Sequence, residues 1–251
     1  MSGLDGQVVL VTGASRGIGL GIACGLAKAG AQVVMSYRSD AQRAEEALEH
    51  VRALNPTATL IQADIAVPKD VTAMFRHVQQ THGRLDGLVQ NAGITADGYA
   101  LMMGDEKWQR VIDTNLSGAF ACLRAASRMM TRQRSGAIVA VASTSAVSAP
   151  AGQANYAASK AGLLATVRVL AKELGPSNVR VNAVVPGFVE TAMTRAMPAG
   201  RLEEYLEHIP LRRIGQPSEV ASVAAFLASD DASFVSGQVI YVAGGPAGTL
   251  M

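Results

Sequence analysis

The 251-residue chain has only two cysteines, Cys24 and Cys122. Both fall in segments that read as helical, and two reduced, buried thiols are expected instead of a disulfide. A metal site is not indicated either. His50, His77, His82 and His208 are scattered, no Cys/His/Asp cluster has ligand spacing, and none of the four histidines is given a catalytic role. One-sided charge is nearly absent: 22 Lys and Arg against 20 Asp and Glu leave a formal net charge of +2. With no basic run along the chain, nucleic-acid binding is not expected. No uninterrupted apolar stretch approaches the ~18 residues of a membrane span, so no membrane association is expected. The opening Met-Ser-Gly-Leu-Asp-Gly-Gln has no basic region followed by a long apolar run. A signal peptide is therefore not expected, and a cytoplasmic location is.

What is abundant is apolar residues, at 49%, against 17% charged. That is ample for a packed core. The length suits one α/β domain over 1–251, with no repeat, low-complexity segment or linker. Short apolar runs alternate with helical periodicity from end to end. Strands are expected near 7–12, 31–37, 59–63, 88–91, 137–142, 179–184 and 238–242. Helices are expected near 17–29, 41–54, 69–81, 105–133, 154–174 and 217–228. The strands are nearly continuous in apolar character, as strands covered on both faces are. The pattern predicts a single-domain, Rossmann-like, doubly wound parallel sheet of about seven strands with helices on both faces. The stretch from about 188 to 215, with Pro198, Gly200, Pro210 and Gly215, breaks this rhythm. It reads as an irregular insertion above the strand ends, either a substrate lid or a plain connecting loop.

The first strand runs directly into Thr12-Gly-Ala-Ser-Arg-Gly-Ile-Gly19 and then a helix. Glycines at 13, 17 and 19 let backbone approach a pyrophosphate, whose charge is favoured at a helix N-terminus. The spacing is not G-x-G-x-x-G, and a glycine-rich turn alone is a weak signal without its strand–turn–helix context.

Five ordered motifs resemble the classical short-chain dehydrogenase/reductase family over almost the whole chain. They are Thr12–Gly19, Asp64 after the third strand, Asn91-Ala92-Gly93 after the fourth, Ser143 with Tyr156-Ala-Ala-Ser-Lys160, and Pro186-Gly187. Asn115 falls in the helix after the Asn-Ala-Gly element. The resemblance implies that Asp64 contacts the adenine and that Asn91-Ala92-Gly93 supports sheet and cofactor. It also places Thr191 at the nicotinamide amide and the Lys160 ammonium on the ribose hydroxyls. Asn115 would hold a water that relays protons to Lys160. Further cofactor contacts implied in this way are Ser15, Ile18, Ile65, Pro186, Gly187 and Val189. Gln90 replaces the family's usual Asn before Asn91.

The chemistry also follows from the residues. Tyr156 and Lys160, at i and i+4, share one helix face. A free Tyr has a pKa of about 10 and is a poor acid–base catalyst at neutral pH. A nearby ammonium, with the charge of an oxidised nicotinamide, is expected to lower it. In reduction Tyr156 gives its proton to the carbonyl oxygen as hydride reaches carbon, and Ser143 hydrogen-bonds the same oxygen. A Tyr–Lys pair alone arises by chance in many helices, and a Ser at a strand end is usually a cap. The glycine loop and the Asn-Ala-Gly element shift the reading to catalysis.

For the cofactor, Tyr37 and Arg38 stand where NAD-specific relatives commonly carry an acidic residue, and Arg16 lies in the glycine loop. Two guanidinium groups suit the 2′-phosphate of NADP(H), although a solvated Arg38 is the plain alternative. Within the family, Asn91–Thr95, Gly152–Ala157, Val185–Thr191, Phe226–Asp230 and Gly244-Gly245 resemble most the 3-oxoacyl-acyl-carrier-protein reductases. That resemblance implies an acyl carrier protein partner, docking at Arg128 and Lys172, with Arg124, Arg132 and Arg168 adding positive character. It also implies a homotetramer. A dehydrogenase of a free alcohol, sugar or steroid, and a cofactor-binding regulator without turnover, are the other two readings.

Overall fold

The computed structural model describes residues 3–195 and 199–245. Seven strands form one sheet: β1 (Val8–Val11), β2 (Gln32–Tyr37), β3 (Thr59–Gln62), β4 (Gly87–Gln90), β5 (Gly136–Val141), β6 (Val179–Pro186) and β7 (Val239–Val242). Their order is β3-β2-β1-β4-β5-β6-β7, and every pairing is parallel. The expected doubly wound sheet is therefore observed.

The reason for the continuous apolar runs is visible in β1. Val8 and Leu10 pack into one core with α3 (Pro68–His82), α5 (Ala119–Gln133) and α7 (Ala154–Leu174). Val9 and Val11 pack into a second core with α1 (Gly17–Lys28), α2 (Ala41–Arg52) and α10 (Pro217–Ala228). Side chains alternate between faces, and because helices cover both, every position is apolar. Strand order reverses between β1 and β4, which opens a crevice at their C-terminal ends.

Three expectations need correcting. The helix expected over 105–133 is present but not α-helical throughout: α4 (Asp105–Ile112) passes into a π-helical turn at Asp113–Gly118 before α5. Gly118 lets the end of this turn lie against the Ile65 carbonyl oxygen, with which a Cβ there would collide. The 188–215 stretch is not simply irregular, since it holds α8 (Ala192–Arg195) and α9 (Ala199–His208), while Pro198 lies outside the described residues. Only Cys122 is a buried thiol, pushed up to about 12 by burial; Cys24 is half-buried, and both are free. A short α6 (Ser145–Ser148) completes the helices used below. Among the described residues no helix is long and apolar enough to cross a membrane, and no metal-binding cluster is found.

Candidate active site

The crevice floor is built by hydrogen bonds between the ends of β1 and β4. Thr12 Oγ1 accepts from the backbone N–H of Asn91 and of Ala92, each at 3.0 Å. Asn91 Nδ2 returns two bonds at 3.0 Å, to the carbonyl oxygens of Thr12 and Gly13. Gly13 has φ +65°, and a Cβ there would stand 2.9 Å from Ala92 Cα. A Cβ at Gly19 would collide with the Gly13 carbonyl oxygen. Backbone thus lies against backbone where a ligand's phosphates need room. Arg16 is extended (φ −165°) and caps α1 with no side-chain bond. The first-turn N–H groups of α1 therefore remain available to an anion. The Thr191 methyl sits 3.4 Å from the Cβ position of Gly17, so the start of the 188–215 segment closes on the glycine loop.

Beside this floor opens a cleft of about 300 Å³, lined by Arg16, Ile18, Asn91, Gly93, Ile94, Thr95, Val141, Ala142, Tyr156 and Lys160. Lys160 is 4% exposed, donates from Nζ to the Val141 carbonyl at 2.8 Å, and lies 5.8 Å from the Tyr156 ring centroid. Ser143, two residues past β5, hydrogen-bonds the Tyr156 hydroxyl. The π turn delivers Asn115, which is fully buried. Its Oδ1 accepts from Ile94 N–H at 2.8 Å, and its Nδ2 donates to Ile94 O at 2.9 Å and Ser159 Oγ at 3.2 Å. A Cβ at Gly93 would stand 3.2 Å from Asn115 Oδ1 and 3.4 Å from Lys160 Nζ. Asn115 and Lys160 therefore border one space, beside Gly93.

A family model described as enoyl-(acyl carrier protein) reductase matches residues 13–246. A 3-oxoacyl-[acyl-carrier-protein] reductase FabG of Staphylococcus aureus is 44% identical over 236 residues, covering 94% of this chain and 96% of that protein. A 3-oxoacyl-[acyl-carrier-protein] reductase of Synechocystis sp. is 43% identical over 246 residues, 98% of each chain. A crystal structure from Sinorhizobium meliloti, described as a short-chain alcohol dehydrogenase, superposes with a TM-score of 0.93 at 37% identity, covering 97% of both chains. The chain belongs to the short-chain dehydrogenase/reductase family.

In this short-chain dehydrogenase/reductase the other sequence-derived positions fall around the same crevice with different exposures. Ser15 is half-buried in the loop, while Arg38, directly after β2, and Arg16 are exposed. Neither Arg16 nor Arg38 forms an ion pair among the described residues. Asp64 Oδ1 accepts from Ala66 N–H at 3.0 Å, which fixes the turn after β3. The side chains of Ile65 and Val189 are 4% and 3% exposed in the two cores, so only their backbone can face a ligand. Pro186 is the last residue of β6, not beyond it, and Gly187 N–H donates to Val242 O at 3.0 Å. Arg128 on α5, with Arg168 and Lys172 on α7, is exposed and lies outside the cleft lining.

Burial governs both titratable groups of the cleft. Burial raises the Tyr156 hydroxyl above its ordinary value; the Ser143 hydrogen bond pulls it back, and the Asp97 carboxylate raises it further. The Lys160 ammonium is engaged with Val141 O. Burial itself brings Lys160 down to about 8. A tyrosine that keeps its proton is an acid, which is the form carbonyl reduction requires.

Reading the sequence missed the residues that hold this arrangement. Thr12 Oγ1, Ser159 Oγ, Ser145 and Gln153 all bond within or beside the candidate set. Small polar residues beside a strand end or a catalytic tyrosine carry no periodic signal, so only the contacts single them out. The glycine cradle, the uncapped α1 N-terminus and the unpaired Arg16 and Arg38 together fit a phosphorylated dinucleotide.

Proposed function

We propose that this chain is an NADPH-dependent carbonyl reductase that converts a 3-oxoacyl thioester on acyl carrier protein to its 3-hydroxyacyl form. The carrying observation is that Tyr156 and Lys160 line one cleft with Arg16 and Ile18 of the glycine loop, with Ser143 beside the Tyr156 hydroxyl. The substrate class is supported by full-length likeness to proteins named 3-oxoacyl-[acyl-carrier-protein] reductases.

In this reading the α1 N-terminus with Gly13, Gly17 and Gly19 holds the pyrophosphate, and Arg16 and Arg38 hold the 2′-phosphate. Asp64 and Ile65 border the adenine, and Asn91-Ala92-Gly93, Pro186, Gly187, Val189 and Thr191 border the nicotinamide half. Bound there, NADPH supplies the hydride. Ser143 orients the substrate carbonyl by donating to its oxygen, and Tyr156 delivers the proton to that oxygen. Lys160 anchors the ribose, and with Asn115 it borders the space through which Tyr156 is reprotonated. The 188–215 segment covers the substrate, a role supported by Thr191 lying over Gly17. Arg38→Asp should raise KM for NADPH at least tenfold and leave KM for NADH unchanged or lower, since a charge-assisted bond to phosphate is worth about 1.5–3 kcal/mol. Steady-state kinetics with both cofactors checks this, and an unchanged ratio removes Arg38 from the phosphate site.

Carrier docking on Arg128, Lys172 and Arg168 belongs to the same proposal, supported by their exposure on α5 and α7. A strongly acidic carrier is steered by positive charge. Reversing Arg128 and Lys172 to Glu should raise KM for a carrier-bound 3-oxoacyl substrate about tenfold more than for a small thioester analogue. Added salt should weaken wild-type activity on the carrier form alone. Equal KM values for the double variant and wild type would reject this docking surface. Preferred turnover of a free alcohol, sugar or steroid would instead make the chain a small-alcohol dehydrogenase. A homotetramer, packing α5 and α7 across two-fold axes, completes the proposal; Phe120 and Val169, 43% and 52% exposed on those helices, support it.

A further inference from the structure

The segment from Asn91 to Tyr99 belongs to no helix or strand, yet its Gly93, Ile94 and Thr95 line the cleft. Two buried asparagines hold it there. Asn115 takes both backbone groups of Ile94, accepting from the N–H at 2.8 Å and donating to the carbonyl at 2.9 Å. Asn155, also fully buried, stands in the first turn of α7, one residue before Tyr156. Its Nδ2 donates to the Ala96 carbonyl at 3.0 Å and to the Lys107 carbonyl at 3.3 Å. Its Oδ1 accepts from the Tyr156 backbone N–H at 2.7 Å. Thr95 lies between the two clamped residues. Irregular backbone fixed on both sides of one residue presents that residue in one place, as a binding contact requires.

Thr95 is half-buried, and its hydroxyl has no hydrogen-bond partner among the described residues while remaining open to solvent. The other side-chain donors of the cleft lining are already in use. Asn91 donates to the carbonyl oxygens of Thr12 and Gly13. Lys160 donates to Val141 O and is assigned to the ribose. Arg16 belongs to the glycine loop and is assigned to the cofactor, and Tyr156 carries the proton for the ketone. Among the described residues of the lining, Thr95 is therefore the neutral donor left without a task.

A 3-oxoacyl thioester has two carbonyls separated by one methylene. Ser143 and Tyr156 serve the ketone oxygen. The thioester oxygen enters the same cleft of about 300 Å³ and leaves water behind. A carbonyl taken out of water without a donor is costly, and one with a donor is not. We propose that the Thr95 hydroxyl donates to the thioester carbonyl and so selects ketones that carry a second carbonyl one methylene away. The inference rests on the 3-oxoacyl reading of the site. Asn115 and Asn155 then act as positioning residues, holding Thr95 at a fixed place relative to Tyr156.

The test compares two compounds at saturating NADPH. One is a small 3-oxoacyl thioester; the other is the matching 3-oxo thioether, in which a methylene replaces the thioester carbonyl. The thioether is read as a substrate or as a competitive inhibitor of the first. Thr95→Val keeps the shape of the side chain and removes the hydroxyl. It should lower kcat/KM for the thioester about 3- to 10-fold, the worth of one net hydrogen bond, and change the thioether constant by less than about twofold. Thr95→Ser keeps the hydroxyl and should stay within about twofold of wild type on both compounds. KM for NADPH should not move in either variant. Equal effects of Thr95→Val on the two compounds, no effect on the thioester, or a loss in Thr95→Ser as large as in Thr95→Val overturns the assignment. If the wild type does not favour the thioester over the thioether, the 3-oxoacyl reading itself fails. If the wild type favours it and Thr95→Val keeps that preference, only the role of Thr95 fails.

Discussion

Tyr156→Phe is expected to lower kcat for carbonyl reduction by about 10²–10⁴-fold, the usual worth of a positioned general acid. The ring stays, so its packing on α7 and its place beside Lys160 are preserved. What disappears is the one hydroxyl that both bonds Ser143 and points into the cleft. Ser143 keeps its bonds to Ser145. KM for NADPH should change by less than about threefold, because the interaction lost is made only in the transition state. Because burial raises the Tyr156 hydroxyl, wild-type reduction should stay level through neutral pH and fall only on the alkaline side. Retention of more than about a tenth of wild-type kcat would place the proton donor elsewhere.

The second large effect is on stability and has the opposite sign to the effect on activity. Lys160 is 4% exposed, and its ammonium is brought from 10.5 to about 8 by burial. At neutral pH it is charged in both the folded and unfolded chain, and the folded chain bears the desolvation. The gap of about 2.5 pH units corresponds to roughly 3 kcal/mol. Lys160→Met removes that penalty and loses the bond to Val141 O, worth about 1 kcal/mol. The cofactor-free variant should therefore be about 2 kcal/mol more stable at pH 7, roughly 4–8 °C in Tm for a chain of this size, while turnover collapses. Between pH 8 and 10.5 the folded wild type has shed the proton and the unfolded chain still holds it. Wild-type stability rises across that window, and the advantage of the variant shrinks. Thermal melts at pH 7, 9 and 11 check this. A variant less stable at every pH would show that the buried ammonium is not under strain.

The sheet was legible because double coverage leaves a simple mark: seven apolar runs separated by helical periodicity. Glycines 13, 17 and 19 were legible because a Cβ at 13 or 19 would collide with backbone and Gly17 has a positive φ where strand, turn and helix meet. Two features left no such mark. The π turn at Asp113–Gly118 brings Gly118 against Ile65, a contact over 50 residues apart in the chain. The hydrogen-bonded string Ser143–Ser145–Gln153–Asp97 joins residues up to 56 positions apart. The i, i+4 spacing likewise fixes that Lys160 shares a helix face with Tyr156 but not that its ammonium bonds Val141 O.

The central claim is that this cleft transfers hydride to the carbonyl carbon of a 3-oxoacyl thioester while Tyr156 protonates the oxygen. It is tested most directly by supplying NADPH deuterated on the transferring face at C4 of the nicotinamide, together with a carrier-bound 3-oxoacyl substrate. The product should be the 3-hydroxyacyl thioester with one deuterium at carbon 3 by mass spectrometry, formed by the wild type and at least about a hundredfold more slowly by Tyr156→Phe. No deuterated product from the wild type with carrier-bound or small 3-oxoacyl thioesters, or equal rates for the two proteins, would contradict it.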